Sequence, residues 1–273
     1  ISWLISWPIR YVLWVAKLMA LLPLSAVYTH SIYIVVWLVF VYVLLGVFLL
    51  AKKKYPIHLS CFAAIGLCFA LIASWTEPIK DDFRVTVLDV GQGQCILLQS
   101  EGKTYVVDCG GSYDTDAANA AAETLLSQGL RHIDGLILTH YDRDHAGGAV
   151  YLLSRIRADA LYLPVCVDTD GYSEPLMQMP QAVLVDDHMQ ISFGAVTIKL
   201  ITTDYGISNN ESGLCVLFQR ENCDILITGD QSASGEKQLL QKVQLPRLEV
   251  LVAGHHGSKK STCQELLDAT DPQ

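Results

Sequence analysis

The pattern of apolar and polar positions divides the chain in two. Ser31 to Ala51, "SIYIVVWLVFVYVLLGVFLLA", runs 21 residues without a charge, about the length that crosses a hydrocarbon core of roughly 30 Å. Ile57 to Trp75, "IHLSCFAAIGLCFALIASW", is similar and ends on a tryptophan suited to the interface; it predicts a second span, the alternative being a buried helix. The opening "ISWLISWPIRYVLWVAKLMALLPLSAVY" places Ser2, Ser6, Arg10 and Lys17 on one helical face and apolar residues on the others. That suits a helix lying in the interface, although the remnant of a further span would look much the same. The first residue is Ile1 and no charged n-region or cleavage site precedes the apolar stretch, so it does not read as a signal peptide; the chain reads as part of a longer one.

After "TEPIKDD" the runs shorten and alternate. "FRVTVLDV", "GQGQ", "CILLQ", "SEGK" and "TYVVD" predict strand, glycine turn, strand, hairpin and strand. "TDAANAAAETLLSQGL" predicts a helix closed by Gly129, "DGLILT" a strand, and "AGGAVYLLSRI" a helix beyond it. "ALYLPV", "AVLVDD", "MQISF", "AVTIKLIT", "LCVLFQ", "DILITGD" and "LEVLVAGHH" follow as further strands. Many strands with few helices imply an α+β unit of two packed sheets with helices outside. The predicted organisation is thus a membrane segment over residues 1–76 and a second domain over 77–273.

Composition sharpens this division. The chain of 273 residues is 51% hydrophobic, and the excess lies in the first 76 residues. Five of the 19 basic residues and none of the 28 acidic ones fall there, leaving 14 basic against 28 acidic, a net of −14, in the remainder. Such a balance does not suggest a broad basic groove for nucleic acid. Only local positive charge remains, from Arg143 and from Lys259 and Lys260. The loop "KKKY" between the spans favours the cytoplasm, which would put everything after Trp75 on the outer side of the plasma membrane. The eight cysteines include no C-x-x-C pair and mostly sit in apolar runs, which favours burial over a thiolate zinc site, with a disulfide still open.

Chemistry concentrates at strand ends. "LTHYDRDHAGG" packs His140, Asp142, Asp144 and His145 into six positions directly after an apolar run. Imidazoles and carboxylates there can converge on a divalent ion, or on two side by side. A polar loop with helix-capping aspartates would explain one such motif. It does not explain three more abrupt endings, "TYVVDCGG" in Asp108, "DILITGD" in Asp230 and "LEVLVAGHHGS" in His255 and His256.

With their order over about 180 residues, the motifs "DVGQGQCILLQSEGKTYVVDCGG", "THYDRDHAGG", "TGD" and "HHGS" resemble the metallo-β-lactamase domain of ComEC-type DNA-internalisation competence proteins. The resemblance implies a metallo-β-lactamase-like αββα sandwich preceded by transmembrane helices that end a channel for DNA. It implies that His140 and Asp142 bind one ion and Asp144 and His145 the other, with Asp230 bridging. His255 would complete the second site, His256 would meet the phosphate or leaving group, and Asp108 would orient a ligand histidine. Two divalent ions, Mn or Zn, would lower the pKa of bound water towards neutrality and grip the oxygens of a phosphodiester.

The activity implied is a nuclease degrading the DNA strand that is not imported, with membrane lipid, the rest of the channel and other competence proteins as partners. Alternatives are a hydrolase of small phosphodiesters or esters, or a domain that only guides DNA. Some positions depart from the usual pattern. Asp142 stands where most relatives of the fold have His, favouring harder ions such as manganese. Gln94 stands where an acid is frequent, and Arg143, at a position usually small, is either solvated or a phosphate contact. "ISNNES", with Asn209, Asn210 and Ser212, replaces a histidine motif, and the chain stops at "DATDPQ", ahead of a His-containing segment that the resemblance leads one to expect.

Overall fold

The computed structural model describes residues 2–20, 31–50, 56–76, 83–203 and 212–273. "KKKY", the start of the second domain and the Asn209–Asn210 pair lie outside the described residues. Two compact units result, one containing the N-terminal helices and the other nearly all of the chain from Phe83 onward.

The first unit holds α1 (Ser2–Ala20), α2 (Ile32–Leu50) and α3 (Pro56–Thr76). Among the described residues, α2 and the Pro56–Ser74 stretch of α3 are the helices long and apolar enough to cross a membrane; α1, with Arg10 and Lys17, is not among them. Pro56 occupies the first helical position, where its missing N–H costs nothing. The two long helices meet through Trp37, whose indole N–H donates to the Ala63 carbonyl at 2.9 Å. That bond satisfies the one polar atom of the indole ring. Val36, Leu45 and Phe69 point outward and exposed, an apolar surface of the kind that lipid covers.

The second unit contains two sheets. β1 (Phe83–Val87), β2 (Ile96–Ser100), β3 (Lys103–Val107), β4 (His132–Ile137), β5 (Arg157–Pro164) and β6 (Ala182–Val185) form the first in sequence order. The β1–β2 and β2–β3 pairs are antiparallel, and the β3–β4, β4–β5 and β5–β6 pairs are parallel. Parallel pairs need crossovers. These are α4 (Asp114–Ser127), the short α5 (Arg143–Ala146) with α6 (Ala149–Arg155), and α7 (Ser173–Met177).

β7 (Met189–Phe193), β8 (Val196–Thr202), β9 (Leu214–Arg220), β10 (Cys223–Ile227) and β11 (Val250–Val252) form the second sheet, in the order β11-β10-β9-β8-β7. α8 (Ala233–Lys242) and α9 (Gln264–Thr270) flank β11 in sequence. Only the β10–β11 pair is parallel.

The period of two along the strands explains the layering. Ile96, Leu98, Tyr105, Val107 and Ile137 meet Ile198, Leu200, Val216, Phe218 and Ile227 between the sheets. The alternate residues Ile201, Cys215, Leu217 and Leu226 pack against Leu239 of α8 and Leu266 of α9. Leu97, Val106 and Leu136 of the first sheet are also fully buried, as are Ala117, Ala121 and Leu125 of α4. Both faces of each sheet are therefore covered, in the αββα order that the resemblance implies. α7 and α8 had no counterpart in the apolar pattern, because each is short and rich in polar residues.

The parallel pairs place the motifs. β3 and β4 end in register, Val107 opposite Ile137, and β10 and β11 end with Ile227 opposite Val252. Asp108 and His140 thus leave one sheet side by side, as Asp230 and His256 leave the other. The two sheets are joined at this end by the Leu214 N–H, which donates to the Thr139 carbonyl at 2.7 Å.

Gly110 lets the first two loops touch, since a Cβ there would lie 2.1 Å from the Asp144 carbonyl carbon and 2.2 Å from the His145 nitrogen. Gly102, in the β2–β3 hairpin at φ +74°, has nothing within 4 Å of that position. Gly102→Ala should destabilise by about 1 kcal/mol, the strain of a left-handed alanine. Gly110→Ala should destabilise by about 3 kcal/mol through overpacking. Thermal unfolding of the full chain in detergent compares them, and equal shifts would contradict this account of the loop contact.

Candidate metal centre

Four side chains from three loops converge. One ligand atom each from Asp144, His145, Asp230 and His256 lie within 4.8 Å of one another. His145 Nε2 is 2.9 Å from Asp230 Oδ1 and 3.2 Å from His256 Nε2. His256 Nε2 is 3.2 Å from Asp144 Oδ2 and 3.8 Å from Asp230 Oδ1.

Asp108 decides what this crowding means. Its carboxylate is completely buried, and Oδ2 receives His145 Nδ1 at 2.7 Å. The proton of a neutral imidazole is thereby placed on Nδ1, and the Nε2 lone pair faces the Asp230 carboxylate. Two acceptors at 2.9 Å repel unless a proton on Nε2 or a metal ion lies between them. Asp230 Oδ1 is buried and makes no hydrogen bond, its approach to His145 being off alignment, and His140 Nε2 is likewise buried without a partner. Orphaned buried atoms of ligand type, together with an all N and O donor set, fit a divalent ion.

The electrostatics agree. Burial pulls His145 down, but Asp108 and Asp230 outweigh it and hold the imidazole up to about 10. The hydrogen bond from His256, against an opposing effect of burial, brings Asp144 down to about 2, and its carboxylate in turn raises His256. Burial pushes Asp230 up, yet the surrounding histidines, His145 foremost, leave it lowered.

His140 and Asp142 sit beside this group. Their rings and carboxylates approach with His140 Nε2 3.5 Å from Asp142 Oδ2, and the His140 ring centroid lies 4.1 Å from that of His145. His255 is outside the group of four, with Nε2 3.6 Å from Asp230 Oδ2 and a side chain 42% exposed. His256, not His255, reaches the inner position. The reason is local: both residues adopt left-handed backbone, at φ 50° and 52°, so the chain turns through the pair instead of ending the strand at the first. Hydrogen bonds lie at that turn and beyond it. His255 N–H donates to the Gly229 carbonyl at 3.0 Å, and the buried Glu236 accepts from Thr262 and Cys263 N–H at 2.7 Å each.

Thr139 and Glu236 escape the sequence reading, in which Gln94 stands only as the loss of an acid. Thr139 donates its N–H to Asp108 Oδ1 at 2.7 Å and its hydroxyl to Oδ2 at 2.8 Å. Gln94 Nε2 donates to Asp108 Oδ2 at 2.7 Å, so the amide supplies a neutral donor where an acid would face a carboxylate. Thr139 and Gln94 both lie within the quoted motifs, whereas Glu236 lies in ordinary helix sequence.

Comparison with known proteins follows this geometry. The sequence model of the metallo-beta-lactamase superfamily matches residues 88–273. Recombination protein 2 of Haemophilus influenzae is 30% identical over 229 residues, covering 82% of this chain and 27% of that protein. ComE operon protein 3 of Bacillus subtilis is 25% identical over 230 residues, covering 76% and 30%. Competence protein ComA of Neisseria gonorrhoeae is 29% identical over 201 residues, covering 71% and 26%. The chain spans less than a third of the length of these relatives. It belongs to the metallo-beta-lactamase superfamily and, by these relatives, to its ComEC-type competence proteins.

Proposed function

We propose that the αβ unit is a metal-dependent nuclease, anchored in the plasma membrane by a multi-pass segment, facing outward, and hydrolysing the DNA strand that is not taken up. The observation that carries this reading is the convergence of Asp144, His145, Asp230 and His256, with His145 Nε2 aimed at an unsatisfied Asp230 oxygen. The competence relatives supply the setting, and the two apolar helices supply the anchor.

Asp144, His145 and His256 would hold one ion, His140 and Asp142 the other, and Asp230 would bridge. The carboxylate-rich set suits manganese or zinc. When bound, such ions make a nucleophile from water near neutral pH and polarise the phosphoryl oxygens. Asp108, with Thr139 and Gln94 fixing both its oxygens, keeps His145 in one tautomer and one orientation. Hydrolysis forms one P–O bond and breaks another, and the departing alkoxide must gain a proton. His255, exposed and 3.6 Å from Asp230, is placed to deliver it.

The test is cleavage of DNA by the full chain in detergent with Mn²⁺ or Zn²⁺, which Asp144→Ala should abolish. His256→Ala should lose metal and, with it, activity on DNA and on a p-nitrophenyl phosphodiester alike. His255→Ala should lower DNA cleavage by about 10²-fold or more while sparing the p-nitrophenyl ester, whose leaving group needs no proton. Cleavage of the small ester but not of DNA would favour a small-molecule hydrolase, the reading that the net acidic domain supports. Metal binding without hydrolysis of either would leave a guiding role.

Metal uptake should also depend on pH. With His145 held up to about 10, its imidazole is protonated at neutral pH in the metal-free chain, and an entering ion must displace that proton. Apparent Mn²⁺ affinity should therefore rise as pH rises through the neutral range, whereas Asp144, ionised down to about 2, adds no dependence there. Calorimetry in buffers of different ionisation enthalpy should detect about one proton released from His145 per chain, with a further contribution from His256, which Asp144 also raises. A pH-independent affinity would contradict the assignment.

A further inference from the structure

Next to the cluster, Gln92, Gly111, Ser112, Arg143 and Asp144 line an open cleft of about 280 Å³. Asp144 is shared, so its carboxylate contributes to the metal group on one side and to the cleft wall on the other. Arg143 does not take part in the metal cluster. Its Nε donates to Asp114 Oδ1 at 3.2 Å and its Nη2 to the Ser112 carbonyl. Asp114 is held in turn by the Tyr172 hydroxyl, 3.4 Å from Oδ2. Two of the five guanidinium N–H groups are thereby used, and among the described residues the other three are left for a ligand.

This arrangement is unusual for a merely solvated arginine. A surface arginine normally loses rotamer freedom on binding; here Asp114 and Ser112 have already fixed the fork in one pose while half of the side chain stays exposed. The ligand that suits a fixed, partly open guanidinium is a phosphate, which accepts two parallel N–H bonds. Gln92 adds an exposed amide at the same wall, and Tyr113, next to Ser112 in the chain but outside the cleft lining, is 66% exposed and offers an aromatic face to a base. Elsewhere the acidic balance of residues 77–273 repels a polyanion, so a single well-placed cation matters more here than it would on a basic surface.

We propose that this cleft is the subsite for the nucleotide next to the scissile phosphodiester, with Arg143 gripping that nucleotide's phosphate. The inference rests on the nuclease reading and deepens it. It makes the enzyme selective for a strand over an isolated diester, because only a strand offers a second phosphate one nucleotide from the reacting one.

The decisive quantity is the ratio of kcat/KM for a single-stranded oligonucleotide to that for bis(p-nitrophenyl) phosphate, which has no second phosphate. Arg143→Gln should lower this ratio on the order of tenfold, as expected for losing one charge-assisted contact. It should also flatten the dependence of log KM on log salt by about 0.7, the slope of one phosphate on a single strand. Arg143→Lys, which keeps the charge and loses the fork, should fall between. An unchanged ratio overturns the proposal. So does an equal loss on both substrates, which would make Arg143 a support of the metal loop, a role that calorimetric Mn²⁺ binding would then reveal.

Should the unsubstituted chain cleave no DNA, the nuclease reading fails by itself, and the cleft is judged by binding. Anisotropy of a fluorescein-labelled oligonucleotide with the EDTA-treated chain should then show about tenfold weaker binding for Arg143→Gln. Equal binding by the two proteins would overturn the cleft as a phosphate site.

Discussion

The hydrogen bond from His145 Nδ1 to the buried Asp108 carboxylate is the constraint on which the rest of the site depends. It orients the ring so that Nε2 faces Asp230 Oδ1 at 2.9 Å, where a proton sits in the metal-free chain and a metal ion would take its place. A carboxylate buried without compensation would be neutralised or expelled. Here Thr139 and Gln94 supply three donors, and the left-handed backbone of Asp108, at φ +59°, turns the side chain back under the strand ends to receive them. Asp tolerates that conformation better than most residues, since its short polar side chain can bond locally.

Sheet topology then converts four sequence motifs into one site. Parallel neighbours share a polarity, so apolar strands that end in polar residues release those residues on the same edge. The active edge of this fold is thus a consequence of the crossovers: α4 between β3 and β4, and α8 between β10 and β11, return each strand in the direction of its partner. Gly229 completes the closure, because a Cβ on that left-handed residue would lie 2.8 Å from Thr139 Cβ, in the other sheet's loop.

Much of this was legible in the sequence. An apolar run that stops abruptly at Asp or His names both a strand and a candidate ligand, and the fold follows from strand number and helix placement. What was not legible depends on backbone conformation. Whether His255 or His256 faces the cluster turns on two consecutive left-handed residues, and nothing in "HHGS" encodes that backbone. The role of Gln94 was hidden for a different reason: it reads as the loss of an acid, whereas in space it is a donor to Asp108. The two long apolar helices were plain from their uncharged length, but the Trp37 to Ala63 bond between them requires the register of two helices that the sequence leaves free.

The central claim is that Asp144, His145, Asp230 and His256 form a metal centre oriented by Asp108. Anomalous diffraction from crystals of the full chain grown with Mn²⁺ tests it most directly. The account predicts a peak at coordination distance, about 2.0–2.2 Å, from His145 Nε2 and His256 Nε2, with Asp144 and Asp230 oxygens completing the shell. Manganese bound elsewhere, or a His145 that keeps its hydrogen bond to Asp108 while no ion enters the cluster at saturating Mn²⁺, would contradict it.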